Sequence, residues 1–296
     1  MTRRELFLSA AAVAAMRSAR AATQTPPLCI FSKHLPDLGY DELGEVAREM
    51  GFEGVDLTVR KGGHVLPERA AEDLPRAVEA IRAHQLTVPM ITTEIVDASE
   101  KDARPLLATA SRCGVKLWKT GYWRYSEQEN PVATFLRVKA AMAQLGALSH
   151  EFGMTAGFHN HSGNYVGASA TWDVREILAG IDPRDAGYYF DVCHATAEGG
   201  VYGWQLAMRL AGPRLKMVAL KDFQWMKNKM TMCPMGEGVV DWSKYFAALA
   251  QGGFQGPISL HLEYKTADER GAMARDAEFA RKQIRNNWPR MNANER

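Results

Sequence analysis

Eight times along this sequence a short β-rich run is followed by a longer stretch whose apolar residues recur at helical spacing. This repetition limits the folds open to the chain more than any other feature. The predicted strands are 28–33, 54–59, 87–93, 115–121, 155–159, 187–191, 216–221 and 257–263, beginning about 26 to 41 residues apart. Between them, stretches such as 40–50, 67–84, 131–152 and 242–250 place apolar residues three and four apart, the period of a half-buried helix. Gly51, Gly114, Gly153 and Gly253 each stand just before a strand, where glycine suits the left-handed position that ends a helix. Strand–helix units in series imply parallel strands with right-handed crossovers, and eight is the number that closes a barrel. The expectation is an α/β fold, a single (β/α)8 TIM barrel over 28–286. An open doubly wound sheet is the alternative. No Gly-x-Gly-x-x-Gly follows the first strand, so its dinucleotide-binding version has no support.

Composition then narrows the partners. With 46% hydrophobic and 24% charged residues the chain can bury an ordinary core. The balance of 36 basic against 34 acidic residues, net +2, opposes nucleic acid as the main partner, which calls for an excess of Lys and Arg on one face. Cys29, Cys113, Cys193 and Cys233 are widely spaced, without a metal-binding or redox pair, and read as small hydrophobes. Residues 1–22 begin with Arg3 and Arg4, pass Leu6 and Phe7 into a short apolar run, and end in small residues at Ala21 and Ala22. This predicts a twin-arginine-type signal peptide and export to the periplasm. The apolar run is too short for a membrane span, so none is expected after processing.

Such barrels place their chemistry at the C-terminal ends of the strands. The groups standing there are Lys33 and His34, Arg60 and His64, Thr92 and Glu94, Lys119, Tyr122 and Trp123, His159 and His161, Asp191 and His194, Lys221, and His261 with Glu263. His159 and His161 are two apart and share a strand face, as do His261 and Glu263. Imidazole and carboxylate are common ligands of Mn, Zn or Fe. A divalent ion held by His159, Asp191 and Glu263 would polarise a carbonyl and stabilise an enediolate. The candidates for moving the proton are Glu263, Lys221, His194 and His261. Lys33, His34, Lys119 and His161 are candidates for binding sugar hydroxyls, and Trp123 for stacking on a sugar face. Each residue alone also fits a duller role, as a structural hydrogen-bonder or as loop packing. The run Gly236-Glu237-Gly238 followed by Asp241-Trp242 reads as a turn into an Asp-capped helix, with Glu237 structural.

Several segments together resemble the xylose isomerase-like barrel superfamily, also labelled sugar phosphate isomerase/epimerase. They are Gly157-Phe158-His159-Asn160-His161, Phe190-Asp191-Val192-Cys193-His194, Val218-Ala219-Leu220-Lys221-Asp222, the Gly236 to Trp242 run, and Ser259-Leu260-His261-Leu262-Glu263. The resemblance covers about residues 28 to 286. It implies a divalent metal held from strands five to eight by Glu, Asp, His and Glu. Carried over, the strand-six Asp is Asp191 and the strand-eight Glu is Glu263. Two positions depart. His159 stands for the strand-five carboxylate, and the strand-seven pattern His-x-Lys-Asp is here Ala219-Leu220-Lys221-Asp222.

Ketose epimerases of this type use two ligand carboxylates, and only Glu263 of that pair is evident. The expectation is therefore a metal-dependent sugar or keto-sugar isomerase, epimerase, lyase or dehydratase with a rearranged metal set, acting by proton abstraction next to a carbonyl. Lys221, on the same face as Ala219, would bind a substrate oxygen or act as a base if burial lowers its pKa. The competing expectation is a non-catalytic carbohydrate-binding barrel with a degenerate metal site. A repair-type nuclease is opposed by the charge balance and the export signal. The partner implied is a small-molecule sugar, and related barrels often form homo-oligomers.

Overall fold

Strand β1 (Leu28–Phe31) pairs with β2 (Gly54–Thr58) on one side and with β10 (Ile258–Leu260) on the other, and the second pairing closes the sheet. The computed structural model describes residues 25–288. Among them, eight parallel strands run around the barrel in the order β1, β10, β7 (Leu215–Leu220), β6 (Ala186–Asp191), β5 (Thr155–His159), β4 (Leu117–Lys119), β3 (Thr87–Thr92), β2. The expected (β/α)8 barrel is thus the fold. The expected signal segment, 1–22, lies outside the described residues.

Helices α1 (Tyr40–Glu49), α2 (Ala70–Ala83), α3 (Ala103–Arg112), α4 (Pro131–Phe152), α5 (Trp172–Ile177), α6 (Val192–Ala211), α7 (Trp242–Gln251) and α8 (Glu269–Asn287) surround the strands. Local chemistry explains their ends. Asn130 accepts hydrogen bonds from the Val132 and Ala133 amides, and Pro131, which has no amide proton to satisfy, opens α4. Gly153 ends α4 at φ 61°, and Gly51, Gly114 and Gly253 adopt the same left-handed conformation at their joints. No helix among the described residues is long and apolar enough to cross a membrane.

Two apolar layers follow from this topology. The larger lies between strands and helices, and includes Leu43, Phe52, Trp118, Phe190, Tyr245 and Phe246. The smaller plugs the barrel interior with Met90, Tyr189, Met217 and Ala219. Gly157 makes that plug possible, because a Cβ there would overlap the Met217 methyl.

Several features differ from the sequence expectation, besides shorter strands at β1 and β4. The last barrel strand stops at Leu260, so His261 to Glu263 leave the ladder, although the His261 amide still donates to Leu220 O. Strand β6 runs straight into α6 with no intervening loop, and Asp191 is the helix cap. A hairpin, β8 (Asp222–Met226) and β9 (Lys229–Cys233), follows β7. Its two-residue turn, Lys227 and Asn228, has φ of 50° and 61°. Such turns usually announce themselves by Asn-Gly or Asp-Gly, and this one does not.

Candidate active site

A pocket at the C-terminal ends of the strands is floored by a buried carboxylate. Asp56, in the middle of β2, accepts hydrogen bonds from Thr92 Oγ1 (2.7 Å), Ser259 Oγ (2.8 Å) and Tyr189 OH (3.0 Å). Three donors offset the cost of burying this group. Burial still raises its pKa to about 6, against the pull of the three hydroxyls and Lys119. Tyr189 OH also lies 3.1 Å from His261 Nε2. Tyr189 has a single proton and gives it to Asp56. The second contact therefore needs a proton on His261 Nε2, which leaves the lone pair on Nδ1. Burial first, and then Lys221, hold His261 well below its ordinary pKa, so it is neutral.

Above this floor stands an ion cluster. Lys221, immediately after β7, points inward and is 3% exposed. Its ammonium lies 3.2 Å from Asp191 Oδ2 and 3.1 Å from Glu263 Oε2. Burial opposes the charge on Lys221, but the two carboxylates outweigh it and hold its pKa above the ordinary value. Burial likewise works to raise Asp191. Lys221, His194 and His159 together hold it well below instead. Asp191 has a second task, since its Oδ1 accepts the His194 amide (3.0 Å) and caps α6, where the helix dipole favours negative charge. Asn160 clamps the ends of β5 and β6, donating to Asp191 O (3.0 Å) and accepting from Asp191 N (2.8 Å).

Histidines surround the cluster. His159 Nε2 lies 3.4 Å from Asp191 Oδ2, and its Nδ1 lies 3.1 Å from Tyr122 OH. His194 Nδ1 is 2.8 Å from Ser162 Oγ, while its buried Nε2 has no hydrogen-bond partner. His161 lines the pocket beside His194, ring centroids 3.9 Å apart. Lys33 stands at the mouth, 3.8 Å from Glu263 Oε1 and half-exposed.

Lys119 faces the same pocket in different surroundings. It is 3% exposed, donates to Thr120 O (2.6 Å) and lies 3.7 Å from the centroid of the Tyr122 ring. The ring favours the ammonium. Burial, followed by Arg60, prevails and lowers the Lys119 pKa to about 7.

Two expected binding residues lie elsewhere. Trp123 was expected to stack on substrate. It is packed flat against Phe158, centroids 5.6 Å apart and planes 11° apart, within the apolar core. His34 Nε2 is taken by the Leu262 amide (3.1 Å), so the ring ties the strand-eight rim to β1. Sequence reasoning placed Tyr122 on the rim but missed Asp56 and Tyr189 as parts of the site. The one available signal was Asp56, a charged residue within a strand buried along its whole length.

The sequence profile described as xylose isomerase-like TIM barrel matches residues 45–283. The chain belongs to the xylose isomerase-like TIM barrel family. No curated protein matches it by sequence. Solved structures share its fold at low identity. The apo form of 3-keto-D-glucoside 4-epimerase from E. coli has a TM-score of 0.69 at 15% identity, covering 87% of this chain and 99% of that one. The probable 3-DHS dehydratase involved in petrobactin synthesis from Bacillus anthracis has a TM-score of 0.68 at 14% identity, covering 86% and 98%. L-ribulose 3-epimerase has a TM-score of 0.66 at 15% identity, covering 88% and 95%.

Against the metal set implied by resemblance to the xylose isomerase-like superfamily, the residues present do not fit. Ala219 offers no donor in place of the strand-seven histidine and is packed in the barrel plug. His159, Asp191 and Glu263 do not form a ligand cluster, because the Lys221 ammonium stands between the two carboxylates. Among the described residues, no group of three or more His, Cys, Asp and Glu is arranged to hold a metal ion.

Proposed function

We propose that this chain is a sugar-processing enzyme that removes a proton next to a carbonyl, leading to isomerisation, epimerisation or elimination. The observation that carries the reading is a pair of buried lysines in one pocket with opposite surroundings. Lys221 is ion-paired to two carboxylates, whereas Lys119 contacts a carbonyl oxygen and a ring. Environments that push two pKa values apart divide acid from base. Lys119, titrating near 7, suits a general base at neutral pH. Glu263 also faces the pocket but is a weak base, because Lys221, His261 and Lys33 outweigh burial and hold its carboxyl far below the usual range. His261 is the second candidate base, through the Nδ1 lone pair. The proteins of similar fold are named as two epimerases and a dehydratase, and such reactions can share this proton removal.

Ala219, standing in the barrel plug in place of the strand-seven histidine, supports a second reading, a non-catalytic carbohydrate-binding barrel with a degenerate metal site. One experiment separates the two. Keto-sugars, including 3-keto-glucosides, are incubated with the protein in D2O and followed by NMR. Deuterium entering the carbon beside the carbonyl, lost in Lys119→Met, supports the enzyme. Saturable sugar binding with no exchange supports the binding barrel.

A further inference from the structure

We propose that the Lys221 ammonium is the resident cation of this site, standing where the carboxylates of strands six and eight would otherwise hold a divalent ion. Geometry carries the argument. Asp191 ends β6 and Glu263 follows β10, the strands on either side of β7, and the two converge on one nitrogen, at 3.2 and 3.1 Å. Lys221 and Asp191 are almost wholly enclosed, Glu263 is partly open at the mouth, and His159 adds a third polar group to Asp191 at 3.4 Å. A fixed positive charge is what two converging carboxylates, one of them fully buried, require. Ala219, one turn of the pleat earlier on β7, contributes only a methyl group, leaving Lys221, just after the strand, as the cation that this strand end brings to the pocket.

The consequence for chemistry rests on the reading of the site as a carbonyl enzyme. Lys221 lines the pocket, so its ammonium can donate to a carbonyl oxygen of a bound sugar. The proton leaves the neighbouring carbon for Lys119 Nζ. The C–H electron pair becomes a C=C bond, and the carbonyl pair moves onto oxygen, where Lys221 holds it by hydrogen bond and charge. No external oxidant or reductant is needed.

The test reads cation binding and does not depend on turnover. Purified protein is titrated with MnCl2 and with ZnCl2 by calorimetry, and its thermal midpoint is compared in each salt and in EDTA. The same is done for Lys221→Ala, with Lys221→Met as the variant that keeps side-chain volume. The expected result is no stoichiometric binding and an unchanged midpoint for the parent. Vacating the cation position should let either variant bind one Mn2+ or Zn2+, raising its midpoint by several degrees, as ligand binding to the folded state alone requires. One tightly bound ion per parent chain, or variants that gain no metal affinity, would overturn the proposal. If neither variant folds, the parent titrations decide. A parent without metal that also fails to exchange deuterium would remove the enzyme reading while leaving the cation assignment intact.

Discussion

The Lys221 ammonium and the Asp191 carboxylate, at the ends of neighbouring strands, face each other at 3.2 Å with almost no access to solvent. Removing Lys221 leaves Asp191 buried without its cation, and removing the Asp191 charge leaves the buried Lys221 with Glu263 alone. Asp191→Asn or Lys221→Met alone should each destabilise the fold by about 3–5 kcal/mol, and the double variant by clearly less than the sum. Urea unfolding of the four proteins measures this. Strict additivity would mean that the pair is not coupled.

Lys119 makes stability and activity depend on pH. Its folded pKa, about 7, lies below the ordinary 10.5 that it regains on unfolding. The unfolded chain therefore binds the proton more readily between those values, and this contribution to stability rises with pH across that window. The penalty is complete below about pH 7 and gone above about pH 10.5. Lys119→Met should thus be more stable than the parent at pH 6, with the advantage fading by pH 10. Arg60 lowers the Lys119 pKa, while Asp56 and Glu94 raise it, so Arg60→Met should move the titration upward. Solvent deuterium exchange should rise with pH through about 7. A flat profile would remove Lys119 as the base.

Tyr189 is a positioning residue. Its hydroxyl links Asp56 to His261 Nε2 and selects which His261 nitrogen carries the proton. Tyr189→Phe removes that link but leaves Asp56 with its Thr92 and Ser259 donors. The stability cost should be about 1 kcal/mol. Turnover should fall more than tenfold with little change in KM. Equal changes in kcat and KM, with a fold loosened by several kcal/mol, would point to packing alone.

Asp222 anchors the loop that follows the hairpin. It accepts hydrogen bonds from the Gly236, Gly238 and Val240 amides and from Trp242 Nε1. A Cβ at Gly238 would overlap the Asp222 carboxylate. Gly238→Ala should therefore destabilise the chain by about 1–3 kcal/mol, and Asp222→Ala by about 3 kcal/mol or more, since several buried donors lose their acceptor. Thermal unfolding checks both. A Gly238→Ala midpoint equal to the parent's would show that the loop has room to adjust.

The Gly236 to Trp242 run was legible as a turn into a capped helix, and Asp241 does cap α7 by accepting the Lys244 amide. Its tie to Asp222 was not legible, because four of the Asp222 bonds reach 14 to 20 residues along the chain. The same holds for Trp123. Its position after a strand on the rim was readable, but not that its ring turns inward to lie on Phe158.

By itself the sequence determined the alternation of strands and helices, the glycine joints at Gly51, Gly114, Gly153 and Gly253, and the set of polar residues at the strand ends. These follow from backbone preference and from periodicity over a few neighbours, which are local in the chain. Only the tertiary structure decided that Lys221 reaches between Asp191 and Glu263, that Asp56 and Tyr189 orient His261, and that Lys119 contacts a carbonyl oxygen and a ring face without an ion pair. The Lys221, Asp56 and Tyr189 relations join residues 30 to 133 positions apart, and the Lys119 contacts, though local in the chain, take their effect from burial. They depend on how closure of the barrel and burial set distance and dielectric between strands, and no local pattern encodes either quantity.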